Sequence, residues 1–91
     1  MKVIISPEAR TDMRLIREYI SQDNPGAASR LPVELLFACD RLEAFPERGR
    51  LGQRTGTREL TSVWPYVITY RIKGEIVEVL RIWHGRQHRG R

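Results

Sequence analysis

The sequence predicts an α+β fold of order β-α-α-β-β-β, in which a two-helix hairpin packs on one face of a small, mostly antiparallel sheet. Three observations predict it. The chain opens on a short apolar run, Val3-Ile4-Ile5. Two stretches between residues 7 and 45 then repeat apolar side chains at helical spacing. The remainder alternates apolar and polar residues in strand-length segments, separated by clusters of glycine and proline. At 91 residues, 41% hydrophobic and 30% charged, the chain reads as one globular domain over residues 1–91 with a thin stability margin.

The first strand ends at Ser6-Pro7, where Ser6 can cap a helix and Pro7 can take its first position. Ala9, Met13, Ile16 and Ile20 form the apolar stripe of that helix, with Arg10, Arg14 and Arg17 on the opposite side. Asp23-Asn24-Pro25-Gly26 breaks the helix and starts another with the same cap-then-proline signal. The second helix should run to about Phe45, with Ala28, Leu31, Leu35, Cys39 and Leu42 inward. Pro32 lies inside it and removes one backbone donor, so a kinked but continuous helix is expected. Residues 46–56, with one proline, three glycines and three arginines, read as a loop.

A short strand is expected over residues 57–60, and a hairpin from residues 67–72 and 75–82 around Lys73-Gly74. That turn places Ile72 opposite Glu75 and Tyr70 opposite Val77. One face then carries Ile68, Tyr70, Ile72, Val77 and Val79 toward the helices. The other carries Val67, Thr69, Arg71, Ile76, Glu78, Leu80 and Ile82, with Arg71 and Glu78 near enough to pair. Unbroken alternation would bring His84 to this open side and turn Arg81 and Trp83 the other way.

Charge is unevenly spread. Residues 1–45 hold six Lys and Arg against seven Asp and Glu, whereas residues 46–91 hold ten against four, within a formal net charge of +5. The last eleven residues alone carry four arginines, two histidines and no acid. Such a surface suits an anionic partner, phosphate above all, or simply keeps a small protein solvated. Only Lys2 and Lys73 are lysine, but a GC-rich genome also favours arginine, so this bias carries no claim. Cys39, the sole cysteine, falls on the apolar stripe as a core residue and excludes an intrachain disulfide. The N-terminal apolar run is too short for a signal peptide and no segment could span a bilayer, so the chain reads as cytoplasmic. No metal is expected: His84 and His88 are four apart beside Gly85 and Gly90, where a helix is disfavoured, and no acid or cysteine completes a set. Gly49-Arg50-Leu51-Gly52 lacks the context and Lys-Ser/Thr ending of a phosphate-binding loop, and no cofactor is expected.

Four segments appear in a telling order: Phe45-Pro46-Glu47-Arg48-Gly49-Arg50, Gly56-Thr57-Arg58-Glu59-Leu60, Tyr66-Val67-Ile68-Thr69-Tyr70-Arg71-Ile72, and Val77-Glu78-Val79-Leu80-Arg81-Ile82-Trp83-His84-Gly85-Arg86. Together with the element order, they resemble the ParE/RelE superfamily of bacterial type II toxins over nearly the full chain. The resemblance implies a growth-inhibiting toxin neutralised by a cognate antitoxin, in complexes holding more than one toxin copy. ParE-type members poison DNA gyrase without established catalytic residues; RelE-type members cut mRNA on the ribosome. The Gly-Arg loop and the Leu-Arg-Ile-Trp-His-Gly-Arg ending look more like the ParE branch, so gyrase is the favoured target and a ribosome-dependent mRNA endonuclease the alternative.

Cleavage of RNA needs a base for the 2′-hydroxyl, an acid for the leaving oxygen and positive charge on the phosphorane-like transition state. His84 suits the acid or base role, and its place after the last strand is similar to that of the catalytic histidine of YoeB-like toxins. A tyrosine follows that histidine in those proteins; here the residue is Gly85. RelE-like sites use lysines and a C-terminal tyrosine, and no tyrosine follows Tyr70 here. Arg58, Arg81 and Arg86 are candidate phosphate or target contacts, Trp83 a candidate stacking platform, and Glu59 a candidate acid. Each also has a structural reading: His84 closing the last strand, Arg81 paired with an acid from a helix or with Glu59, and Trp83 in packing. A nucleic-acid-binding module without toxicity is a third reading, tested by salt-dependent binding. A disordered acidic antitoxin would fold onto the apolar surfaces of helix 1 and the mixed sheet face.

Overall fold

The computed structural model describes residues 1–86. The elements are β1 (Lys2–Ile5), α1 (Pro7–Ser21), α2 (Pro25–Asp40), a 3-10 turn (Arg41–Glu43), β2 (Arg50–Leu51), β3 (Arg58–Leu60), β4 (Tyr66–Lys73) and β5 (Ile76–His84). They form an α+β fold with five strands in the order β1-β5-β4-β3-β2. β1 runs parallel to β5 and every other pair is antiparallel.

Both helices start as their caps dictate. The Ser6 hydroxyl accepts the Ala9 N–H at 3.0 Å, the Asn24 side chain accepts the Ala27 N–H at 3.1 Å, and a proline follows each cap. α2 continues through Pro32 but ends at Asp40, short of Phe45. The last turn instead tightens into the 3-10 segment, which still buries Leu42. Ala9, Leu35, Ala38, Cys39 and Leu42 of the helical layer meet Leu60, Ile68, Tyr70, Val77, Val79 and Ile82 of the sheet in one core.

The stretch expected as plain loop contains an edge strand. In β2, Arg50 pairs with Glu59 and Leu51 with Arg58. Tyr70 pins the preceding chain, because its buried hydroxyl donates to Pro46 C=O (2.7 Å) and accepts the Gly49 N–H (2.8 Å). A Cβ at Gly49 would stand 2.8 Å from that ring and hydroxyl, so only glycine lets the loop approach so closely.

Two corrections to the expected hairpin matter for function. The turn residues are Gly74-Glu75, not Lys73-Gly74, and Lys73 pairs with Ile76. Gly74 takes φ +61° at the first turn position while no non-glycine residue among those described has positive φ, the signature of a II′-type turn; the expected turn would have left Gly second. This two-residue offset kept the faces as expected through Val79, with Tyr70 opposite Val79 and Arg71 directly opposite Glu78. The second correction reverses them. Pairing shifts between Thr69 and Tyr70, where Leu80 is the extra residue of a bulge, so Thr69 faces Arg81, Ile68 faces Ile82 and Tyr66 faces His84. Beyond the bulge Ile82 and His84 turn toward the helices, and Arg81 and Trp83 turn to the open face, the reverse of the expected assignment.

Candidate functional site

The end of β5 is held by α1 rather than by another strand. β1 pairs with Ile76 through Val79 and stops at Ile5. From there the Ser6 N–H donates to Val79 C=O and the Ser6 hydroxyl to Leu80 C=O, each at 3.0 Å. Six residues on, Asp12 accepts the Ile82 N–H at 2.9 Å and also Arg81 Nε at 2.8 Å and Nη2 at 2.9 Å. Asp12 thus stands in for a missing strand and clamps the arginine that follows the bulge. Its hydrogen bond and charge raise the Arg81 pKa, so the guanidinium stays cationic. The helical-acid partner expected for Arg81 is Asp12, a residue the sequence reading did not name. It follows Ala9 by three and precedes Ile16 by four, so an acid on the buried stripe of α1 was the available signal.

On the open face, Gln53, Arg54, Thr57, Glu59, Thr69, Arg81 and Trp83 line a concavity of about 130 Å³. Trp83 Nε1–H donates to the Thr69 hydroxyl at 2.8 Å, fixing the indole across the sheet. Glu59 is engaged by Arg50, whose Nε and Nη2 both donate to its Oε1, at 3.3 and 3.0 Å. Arg58 lies on the other side of β3, beside Tyr70. Its Nη1 donates to Gly49 C=O at 2.8 Å and Glu47 C=O at 3.3 Å, so it braces the loop.

His84 lies on the helical side, in a groove of about 310 Å³ lined by Asp12, Leu15, Ile16, Tyr19, Tyr66, Ile82 and Trp83. Its ring meets Tyr66 edge-on at 5.3 Å, and its Nδ1 accepts the Arg86 N–H at 3.2 Å. The neutral imidazole therefore carries its proton on Nε2. Burial, and secondarily Tyr19, raises the Tyr66 pKa and keeps that phenol neutral. Arg86 is exposed beyond this groove.

The residues singled out for chemistry are consequently dispersed. Arg81 and Trp83 share the open face, His84 sits on the helical side with Arg86 close by in sequence, and Arg58 is engaged with the loop. Among the described residues no group of three or more His, Cys, Asp and Glu is placed to hold a metal; His88 and the arginines at 89 and 91 lie outside the described residues. No helix among the described residues is long and apolar enough to cross a membrane. Cys39 is fully buried in the core, and burial, then Asp40, pushes its thiol pKa up to about 12.

The family model for the ParE toxin of the type II toxin–antitoxin system parDE matches residues 3–89. Toxin RelE2 of Caulobacter vibrioides is 43% identical over 83 residues, spanning 91% of this chain and 93% of its own length. Toxin RelE1 of the same organism is 39% identical over 90 residues, 96% of each chain. A solved chain described as the chromosomal ParDE toxin–antitoxin system of P. aeruginosa superposes with a TM-score of 0.83 at 25% identity, covering 92% of this chain and 95% of the other.

Proposed function

The chain belongs to the ParE toxin family of type II toxin–antitoxin systems, and we propose that it arrests growth by binding a protein target, DNA gyrase, while a cognate antitoxin holds it inactive. The observation that carries this reading is the dispersal of the residues RNA cleavage would require. The bulge at Leu80 turns Arg81 to the open face and His84 to the helical side, while Trp83 lines both the concavity and the His84 groove. A base that must take a 2′-hydroxyl proton has to stand within hydrogen-bond reach of it, on the same surface as the phosphate-binding cations. His84 in its neutral form presents Nε2–H, a donor, because Nδ1 is occupied by the Arg86 amide. Glu59 and Arg58 are both committed to structural contacts. A protein-binding toxin needs no such cluster; it needs an accessible surface, and Leu15, Tyr19, Phe37, Phe45 and Trp64 are all exposed by 50% or more.

A ribosome-dependent endonuclease is the second reading, favoured by the open-face concavity that Trp83, Arg54 and Arg81 line together with Thr69. Mapping new mRNA 5′ ends within minutes of inducing the chain without antitoxin separates the two. Growth arrest with intact mRNA, retained by His84→Ala, is the expected result. New ends at fixed positions within translated codons, lost in His84→Ala, would replace the gyrase reading with the nuclease one.

A further inference from the structure

We propose that the outer face of α2, continued by Phe45 and Trp64, joins two copies of this chain in an isologous dimer. Such a contact requires nothing of the toxin's target. It leaves Leu15 and Tyr19, which line the separate groove beside His84, open to other partners.

Helical spacing creates the face. Val33, Leu36 and Phe37 stand at i, i+3 and i+4 on α2, on the side opposite the buried Leu35, Ala38 and Cys39. They are 51%, 41% and 65% exposed, where a helix meeting only solvent would carry charge. Two open hollows of about 530 Å³ adjoin them, one beside Phe37 and Trp64 and one beside Phe45 and Pro46. Arg41 and Arg48 border both hollows, so the patch is continuous. At the usual size of an aromatic side chain, the three rings leave about 300–400 Å² in water. That alone matches the largest apolar patches of ordinary monomers, which mark interaction sites. A stable dimer interface needs roughly 500 Å² of apolar surface per partner, and Val33, Leu36 and the arginine stems bring the patch to that order.

Charge selects the occupant. Residues 30–48 hold three arginines against four acids, a net of −1 within a chain of +5, so this face does not draw an acidic partner. Glu34, Arg41, Glu47 and Arg48 rim the patch, and none of them forms an ion pair among the described residues. A two-fold contact sets one residue of the first copy on a different residue of the second, and the reverse. A rim carrying both signs therefore meets itself as arginine on glutamate, twice. Shape follows the same rule. Phe37 projects from the helix, the hollow at Phe45 and Pro46 is concave, and each copy offers both. The excess positive charge belongs to other residues and is screened over about 8 Å at physiological salt.

The test is sedimentation of the full chain, freed of antitoxin, across a micromolar concentration range, with circular dichroism confirming that each variant folds. The expected result is a shift from monomer to dimer that Phe37→Glu weakens by about tenfold or more. Two sign-reversed variants probe the rim. One carries Arg41→Glu and Arg48→Glu, the other Glu34→Arg and Glu47→Arg. Each should remain monomeric alone, and mixing the two should restore a dimer containing one of each. A chain that stays monomeric throughout, or a dimer that Phe37→Glu leaves unchanged, overturns the proposal. Sign-reversed variants that fail to pair on mixing overturn it too. A monomer whose Trp64 fluorescence shifts only when antitoxin is added assigns the face to the antitoxin, which also overturns it.

Discussion

Asp12→Ala should be among the most destabilising substitutions on α1, and its cost can be worked from three contacts. The side chain is 10% exposed and accepts the Ile82 N–H and two Arg81 donors at 2.8–2.9 Å. Arg81 is 54% exposed and regains water when its partner leaves, so solvent screening holds the ion pair to about 0–1 kcal/mol. The Ile82 N–H is buried and has no alternative acceptor among the described residues, and leaving it unmade costs about 1–3 kcal/mol. The sum is about 1–4 kcal/mol, a large share of the roughly 5–14 kcal/mol expected for a chain of this length. Asp12→Asn keeps an oxygen for the amide and gives up the charge, so it should cost about 1 kcal/mol. Urea unfolding of both variants with unchanged m-values measures the difference. Equal losses for Asn and Ala, or a loss below about 0.5 kcal/mol for Ala, would refute the assignment of Asp12 as the stand-in partner of β5.

Three further outcomes follow from the geometry. Tyr70→Phe should cost about 1–3 kcal/mol in urea unfolding, because Pro46 C=O and Gly49 N–H both lose the hydroxyl that serves them. Gly85→Ala, whose Cβ would stand 2.9 Å from the Trp64 ring and 3.1 Å from Pro65 C=O, should displace that half-exposed indole and cost about 1 kcal/mol or more, read by tryptophan fluorescence and thermal melting. The Cys39 thiol, raised to about 12 in the fold, holds its proton more tightly folded than unfolded. The resulting stability is fully present below the unfolded thiol pKa and is lost as pH rises toward the folded one, at about 1.4 kcal/mol per pH unit. Urea melts at pH 8 and 10 should show a steeper decline for the natural chain than for Cys39→Ala, and thiol reagents should modify the native protein only at its unfolding rate.

Local signals in the sequence were strong wherever a single residue decides a backbone state. Ser6-Pro7 and Asn24-Pro25 announce both helices because cap and proline each fix a dihedral or a donor at one position. Apolar spacing likewise exposed the core face of β4 and the buried place of Cys39. The bulge at Leu80 was hidden because it is set by pairing with another strand and leaves composition unchanged; its one trace was Arg81, which unbroken alternation would have turned toward the core. That single shift moved His84, Arg81 and Trp83 to the faces opposite those expected. β2 was hidden for a related reason: two residues among glycines and arginines carry no period, and their strand exists only because Glu59 and Arg58 stand opposite. Asp12 was legible as an acid on an apolar stripe, but its partners lie 69 and 70 residues away and only the fold brings them near.

The most direct measurement on the central claim is gyrase supercoiling of relaxed plasmid by the purified chain, freed of antitoxin, across a range of concentrations. The expected result is loss of supercoiling or trapped double-strand breaks, reversed by stoichiometric antitoxin and retained in His84→Ala. Undisturbed gyrase at concentrations where the same preparation arrests translation and cuts ribosome-bound mRNA would contradict it.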